Sequence, residues 1–397
     1  MCTCRFVTNF NSFAGSMAEM DSLEMPRRLL LGPGPSNVHP RVLRAQSQPL
    51  VGHLDPVFLS ILDEVQANLA ELFGVTGGMT LPISATGSAG MEACLVNLLE
   101  PGDAVVVGVH GVFGGRMCEV ASRLGARVTR VESEWGTPLS DAAMSEAIER
   151  VRPRAVAFVH AETSTGVLQP VEAIAMSARE AGALTILDCV TSLGGIPLAL
   201  EHWGIDAAYS GTQKCLSVPP GLSPVHFSER ALERITSRTV PVQSWFLDAG
   251  LLAGYFSSRG NAGGSRVYHH TAPISAILGL AEGLRLVLEE GMETRSLRHY
   301  GAAQALVEGL HDLGFSPLVA PPYRLPMLSS MRLPKSVLES EDGEAGLRRR
   351  LLDHYGIEVG GGLGELAGKI WRIGLMGENA QIINVEALLY ALRKELS

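Results

Sequence analysis

No apolar run in this 397-residue chain reaches the roughly 18 residues that a bilayer-spanning helix requires. Residues 1–25 also lack the continuous apolar centre of a secretory signal, so residues 1–26 read as a disordered N-terminal extension. Positive charge is scarce too: 32 Lys and Arg stand against 41 Asp and Glu, a net charge of -9. The one dense basic cluster, Arg348-Arg-Arg350, reads as a solvated helix face. Nucleic acids and anionic membranes both need a positive field, so neither is expected as a partner. Six cysteines, at 2, 4, 94, 118, 189 and 215, show no ligand-like repeat, and several lie in apolar stretches. They read as reduced thiols of a cytoplasmic protein. The Cys2-Thr-Cys4 pair lacks the further ligands a metal site needs, and no metal is expected.

A composition of 46% hydrophobic and 18% charged residues can bury a large core, and the length suffices for two domains. Apolar positions 58, 61, 62, 65, 69, 72 and 73 keep helical spacing, and Gly74 follows as a stop. Short apolar runs then recur at 104–109, 126–131, 155–159 and 183–187, separated by helix-like segments such as 171–180. Strands and helices alternating in this way predict an α/β fold, a mostly parallel sheet with helices on both faces. Past Tyr268-His-His-Thr271 the pattern changes to a long helix through Ile277, Leu280, Leu284 and Leu288. The domain boundary is expected inside it, giving a large domain over 27–280 and a smaller α+β domain over 281–397. The smaller domain is expected to hold a strand near 328–333 and helices near 347–354 and 385–396.

The chemistry concentrates in Tyr209-Ser-Gly-Thr-Gln-Lys-Cys-Leu-Ser-Val-Pro-Pro-Gly221, which sets Lys214 in a tight polar turn between apolar segments. Roughly 26 residues upstream, the run Ala183–Leu187 delivers Asp188 as a strand end delivers a carboxylate to the mouth of a sheet. An imine-forming lysine and a buried carboxylate that can hold a pyridinium are the two groups pyridoxal phosphate needs from a protein. Each has an ordinary alternative, a surface lysine in a Gly/Pro loop and an aspartate capping the next helix. Ser84-Ala-Thr-Gly-Ser-Ala-Gly90 precedes a helix-like run, and free N–H groups at a helix start make an anion site.

The stretches Ile186-Leu-Asp-Cys-Val-Thr-Ser-Leu-Gly-Gly195, Ser210-Gly-Thr-Gln-Lys214 and Pro219-Pro-Gly221 resemble the class V aminotransferases, most nearly the alanine–glyoxylate and serine–pyruvate or serine–glyoxylate branch. The resemblance runs from about Arg27 to near the C-terminus. It implies a fold-type I, pyridoxal-phosphate-dependent enzyme acting as a homodimer with shared active sites. By position it implies Lys214 as the imine-forming amine and Asp188 as the partner of the ring nitrogen. Thr86, Gly87, Ser88 and Gln213 fall at phosphate-binding positions, Ala85 standing where some relatives carry glycine. Phe113 corresponds to the ring-stacking aromatic and Thr163 to a hydroxyl near the phenolic oxygen. Tyr268 and Thr271 match residues that reach the phosphate from the neighbouring subunit. Arg372, in an apolar strand-like setting, matches the fork that grips the substrate carboxylate. Gly34, in Gly32-Pro-Gly-Pro35, and the Gly360–Gly364 loop match segments that close over the substrate.

The expected reaction is ping-pong transfer of an amino group from alanine or serine to glyoxylate or pyruvate. Transamination of another amine, such as 2-aminoethylphosphonate, and a lyase reaction on the same fold are the alternatives. A desulfurase would need a mobile cysteine well into the C-terminal half, and no cysteine follows Cys215.

Overall fold

A computed structural model describes residues 24–256 and 266–397. The expected N-terminal extension and the Cys2/Cys4 pair therefore fall almost wholly outside the described residues. At the centre is a seven-stranded sheet in the order Met79–Ile83, Ser223–Phe227, Ala207–Tyr209, Leu184–Asp188, Ala155–Val159, Ala104–Val109 and Arg127–Glu132. Six strands run one way and only Ser223–Phe227 is reversed, pairing antiparallel with both neighbours. The near-continuous apolar runs have a simple cause: a parallel strand covered by helices on both faces has no wet side. Val105, Val106 and Val107 are accordingly all fully buried. Sequence periodicity did not register the reversed strand, which carries Ser223, Pro224 and His226 among its five residues. Its reversal follows from its connection, because the segment after Tyr209 holds a turn and no crossover helix to bring a parallel strand round.

The amphipathic helix expected over 58–73 spans Pro56–Phe73. The Asp55 carboxylate caps it by accepting from Val57 N at 2.8 Å, and Gly74 ends it in the left-handed conformation. Phe58, Leu62, Val65 and Leu69 line its buried face. Helix Gly87–Leu98 crosses the sheet at closer range. A Cβ on Gly90 would stand 2.1 Å from Ser223 Oγ and 3.1 Å from Tyr209 Cβ, so the small residue lets helix and sheet meet.

A second sheet takes Leu29–Leu31, Ile357–Gly361, Ile370–Gly374, Leu328–Arg332 and Ser316–Pro317 in that order. Its first pair is parallel, and the others are antiparallel. Two buried clusters go with the two sheets. One runs from Val42 to Val287, and the other joins Leu31 to side chains between Ala302 and Leu392. The boundary expected at 280 thus lies within helix Ile274–Glu290, whose Leu284 and Val287 still pack on the first cluster. The cores change over after it, and Leu29–Leu31, assigned by sequence to the large domain, belongs to the smaller sheet. Three leucines in a row carry no sign of which sheet they will edge. Among the described residues no helix is long and apolar enough to cross a membrane.

Gly90→Ala is expected to cost about 1–3 kcal/mol through overpacking against Ser223, read as a lower urea midpoint with unchanged m-value.

Candidate active site

The carboxyl ends of the central strands converge on one edge of the large sheet, where ligands bind in open α/β folds. Lys214 lies between Ala207–Tyr209 and Ser223–Phe227, in a turn held from outside by the N-terminal segment. Ser36 Oγ donates to the Lys214 carbonyl at 2.8 Å, and Ser36 N to that of Gln213 at 2.9 Å. The Lys214 ammonium donates to the Pro33 carbonyl. Gly34 adopts φ 104°, and a Cβ there would stand 2.5 Å from Lys214 Nζ, so both its conformation and its place demand glycine. Burial, aided by the positive charge of Arg372, lowers the Lys214 ammonium to about 8.

Asp188 ends its strand buried beside Tyr209, its partner across the parallel ladder. Tyr209 Oη donates to Oδ2 at 2.7 Å and Val190 N to Oδ1 at 2.8 Å. Both bonds favour the carboxylate, yet burial outweighs them and raises Asp188 to about 7. The group expected to be ionised is therefore poised between its two forms at neutral pH, and a cation beside it would tip it to the charged one.

At the start of helix Gly87–Leu98, Thr86 has extended backbone and its side chain caps nothing. Thr86 and Ser88 are exposed, while Gly87 is buried against Ser210 O and Val190. The first N–H groups of such a helix have no partner within it. Close by in sequence to Ser210, the Gln213 Oε1 atom is buried with no hydrogen-bond partner among the described residues. An amide end left unpaired in this way fits a polar ligand.

Glu162, which the sequence reading passed over, is fully buried on the same edge. It accepts from Phe113 N at 3.1 Å and from Ser164 N and Oγ at 3.1 and 2.6 Å. Ser164 Oγ accepts in turn from Val112 N at 2.9 Å. One carboxylate thus ties the start of helix Val112–Arg123, where half-buried Phe113 sits, to the 162–166 turn. Burial raises it above the usual carboxylate range. No short-range signal marks it, because a single glutamate between a strand and a Thr/Ser/Gly turn has the same local pattern as an exposed acid. Arg116 covers one face of the Phe113 ring, with Cζ 4.9 Å from the centroid.

Arg372 is buried on the second sheet. Its Nε donates to Gly361 O at 2.8 Å and its Nη1 to Thr163 O at 3.2 Å. Among the described residues no carboxylate lies within ion-pairing distance of it, so it is not a core arginine matched to an acid. The two backbone bonds leave the outer Nη1–Nη2 edge free for a planar anion. The glycine-rich segments meet here as well. Gly360 packs on Pro33, and Gly364 stands against the Trp135 ring.

Tyr268 and Thr271 do not join this group within one chain. Both are exposed, and Tyr268 lies with its ring 5.2 Å from that of His53. Between them His269 stacks on Trp245, and His270 shares a 2.7 Å hydrogen bond with Ser84.

Comparison with known proteins gives a consistent result. Residues 32–365 match the family model for aminotransferase class-V. The chain is 39% identical to a (S)-ureidoglycine–glyoxylate transaminase of Bacillus subtilis (strain 168), over 94% of this chain and 91% of that protein. It is equally 39% identical to an alanine–glyoxylate aminotransferase of Oryctolagus cuniculus, over 94% and 93%. The solved structure of an alanine–glyoxylate aminotransferase from Nostoc sp. superposes with a TM-score of 0.91 at 46% identity, covering 96% of this chain and 98% of that one.

The raised Asp188 has a consequence for stability. A carboxyl lifted from 3.8 to about 7 on folding gives stability that is full below pH 3.8 and is lost as pH rises through 7. In cofactor-free protein, Asp188→Asn is therefore expected to unfold at higher temperature than the parent at pH 8. The advantage is on the order of 2–4 kcal/mol and closes by pH 4, as read from thermal melts across pH.

Proposed function

The chain belongs to the class-V aminotransferases, and from that membership we propose that it passes the amino group of a small L-amino acid to glyoxylate in two half-reactions, using pyridoxal phosphate. The observation that carries the substrate side is Arg372, a buried guanidinium with no carboxylate in ion-pairing distance among the described residues, whose charge is felt at Lys214. Glyoxylate is common to the names of both relatives, whereas their donors differ. Alanine or serine is the first choice of donor, with pyruvate as the alternative acceptor.

The residues present fit the cofactor: open N–H groups at Gly87 and Ser88, a buried carboxylate at Asp188 and a glycine at Gly34 that leaves room for the Lys214 side chain. Pyridoxal phosphate, when bound, supplies an aldehyde carbon that takes up the amino group and a ring that takes up an electron pair. Asp188, oriented by Tyr209 and Val190, would hold the ring nitrogen in its protonated form. Thr86, Gly87, Ser88 and Gln213 would hold the phosphate, Phe113 would support the ring, and Thr163 would offer a hydroxyl to the phenolic oxygen. Lys214, its ammonium lowered to about 8 by burial, gives up its proton more readily than an exposed lysine, which suits it to act as nucleophile and to move a proton at the substrate Cα. Arg372 grips the α-carboxylate through two parallel hydrogen bonds.

Tyr268 and Thr271, both exposed within one chain, support a homodimer in which these residues reach the partner's phosphate site. The four buried free thiols at 94, 118, 189 and 215 support a reducing, cytoplasmic setting. Ureidoglycine as donor is the second reading, favoured by the Bacillus subtilis relative.

The decisive test is an absorbance titration of the cofactor-loaded protein with L-alanine, L-serine, ureidoglycine and 2-aminoethylphosphonate, each without acceptor. Conversion to the pyridoxamine spectrum by alanine or serine, reversed by glyoxylate, is expected. Ammonia release without that conversion would instead make the protein a lyase. Arg372→Lys, which loses the bidentate fork, is expected to raise KM for the donor roughly 10–100-fold with cofactor still bound. Lys214→Ala should abolish turnover.

A further inference from the structure

Helix Met292–His311 lies against both halves of the molecule, and its first turns carry Arg295, Arg298 and His299 on one face. Arg295 is 5% exposed; its Nε donates to Gly194 O at 2.7 Å and its Nη2 to Cys215 O at 2.6 Å, and its remaining nitrogen pairs with Glu290. Arg298 grips the same Glu290 carboxylate with Nε and Nη2 at 2.6 and 2.9 Å. Its Nη1 then donates to both Gly377 O and Ala380 O at 2.8 Å. His299 Nδ1 donates to Arg295 O at 2.7 Å, which leaves Nε2 to accept from Gly377 N at 3.0 Å.

These contacts end on the two parts of the site that must act together. Cys215 is the residue after Lys214. Gly377 follows the strand Ile370–Gly374 that carries Arg372. The two segments also touch each other: Glu378 N donates to Ser217 Oγ at 2.8 Å, and Ser217 N donates to Lys214 O at 3.0 Å. Ser217 adopts φ 53°, a left-handed conformation that non-glycine residues hold only when their surroundings impose it. A Cβ on Gly377 would stand 2.1 Å from Ser217 Oγ and 2.5 Å from Cys215 O, so the segments are in close contact.

Polar groups here could serve only to satisfy buried carbonyls. The arrangement goes further, because two arginines share one carboxylate and spend their other donors on opposite walls, Arg295 on the Lys214 side and Arg298 on the Arg372 side. A partly buried cluster of this kind contributes little net stability for its desolvation cost, and fixing register is its best-attested use. We propose that Glu290, Arg295 and Arg298 are positioning residues that hold the Lys214 turn in fixed register with the strand carrying Arg372. Amine and carboxylate grip are then set before substrate arrives, which is the proximity term that a displacement of about 1 Å can reduce 100-fold. This inference rests on the roles given above to Lys214 and Arg372.

The test compares the full-length parent with Glu290→Gln, which keeps the shape of the side chain and removes the shared charge, and with Arg295→Lys. In the loaded enzymes kcat is expected to fall roughly 10–100-fold with KM for the donor changed far less, since Arg372 is untouched. In the same chains stripped of cofactor, amine labelling across pH reads Lys214 directly, and the chain's three other lysines, 335, 369 and 394, serve as internal standards. The Lys214 midpoint, near 8 in the parent, is expected to rise toward the ordinary lysine value of about 10.4 as the turn loosens. A variant that loses thermal stability but keeps the parent's kcat or the parent's Lys214 midpoint overturns the proposal. Should the parent itself transaminate none of the donors, the functional reading fails while the labelling comparison still decides whether this cluster positions Lys214.

Discussion

A guanidinium held in the interior against two backbone carbonyls, with no carboxylate within ion-pairing distance among the described residues, is the constraint around which the site is organised. Arg372 is the positive pole, and its field reaches Lys214, whose own ammonium is already weakened by burial. Asp188 is the converse, a carboxyl pushed toward its neutral form by burial although Tyr209 and Val190 both donate to it. Each group would be more comfortable with a ligand of opposite charge beside it, an anion at Arg372 and a cation at Asp188. The protein carries these groups at some cost to its own stability, which is where binding sites commonly depart from the rules of a well-packed core.

The fold makes that arrangement affordable by separating the poles. Asp188, Lys214 and the 162–166 turn stand on the edge of the large sheet, whereas Arg372 comes from the second sheet. Thr163 O is the point where they meet, accepting from Arg372 Nη1 one residue after Glu162. Helix Met292–His311 bridges the same divide from the other side, through Arg295 and Arg298, which share Glu290 at the end of the preceding helix. The first segment of the chain also crosses over: Leu29–Leu31 edges the small sheet, and five residues later Ser36 holds the Lys214 turn. A site built across two cores in this way depends on the register between them.

Much of the scaffold could be read along the chain because local patterning governs it. The apolar runs 104–109 and 155–159 are strands since parallel strands bury both faces, and the helix ending at Phe73 followed its 3.6-residue period and glycine stop. What escaped was the reversed strand Ser223–Phe227, whose direction depends on the loop before it. Where along helix Ile274–Glu290 one core gives way to the other was not legible, because one amphipathic helix looks the same whichever core it packs on. Glu162 was missed because nothing about a lone glutamate tells that its carboxylate will be buried on the backbone of Phe113.

By itself the sequence determined an α/β chain with a lysine turn, an acidic strand end and an arginine in an apolar strand, because residue type and short-range spacing decide these. The tertiary structure alone decided that Pro33, 181 residues away, and its neighbour Gly34 lie on the Lys214 side chain, that Tyr209 steadies Asp188, and that Arg295 grips Cys215 O. The physical reason is that charge state and reach follow from desolvation and from which distant backbone groups arrive within hydrogen-bond distance. Both are properties of the packed chain and have no counterpart in local pattern.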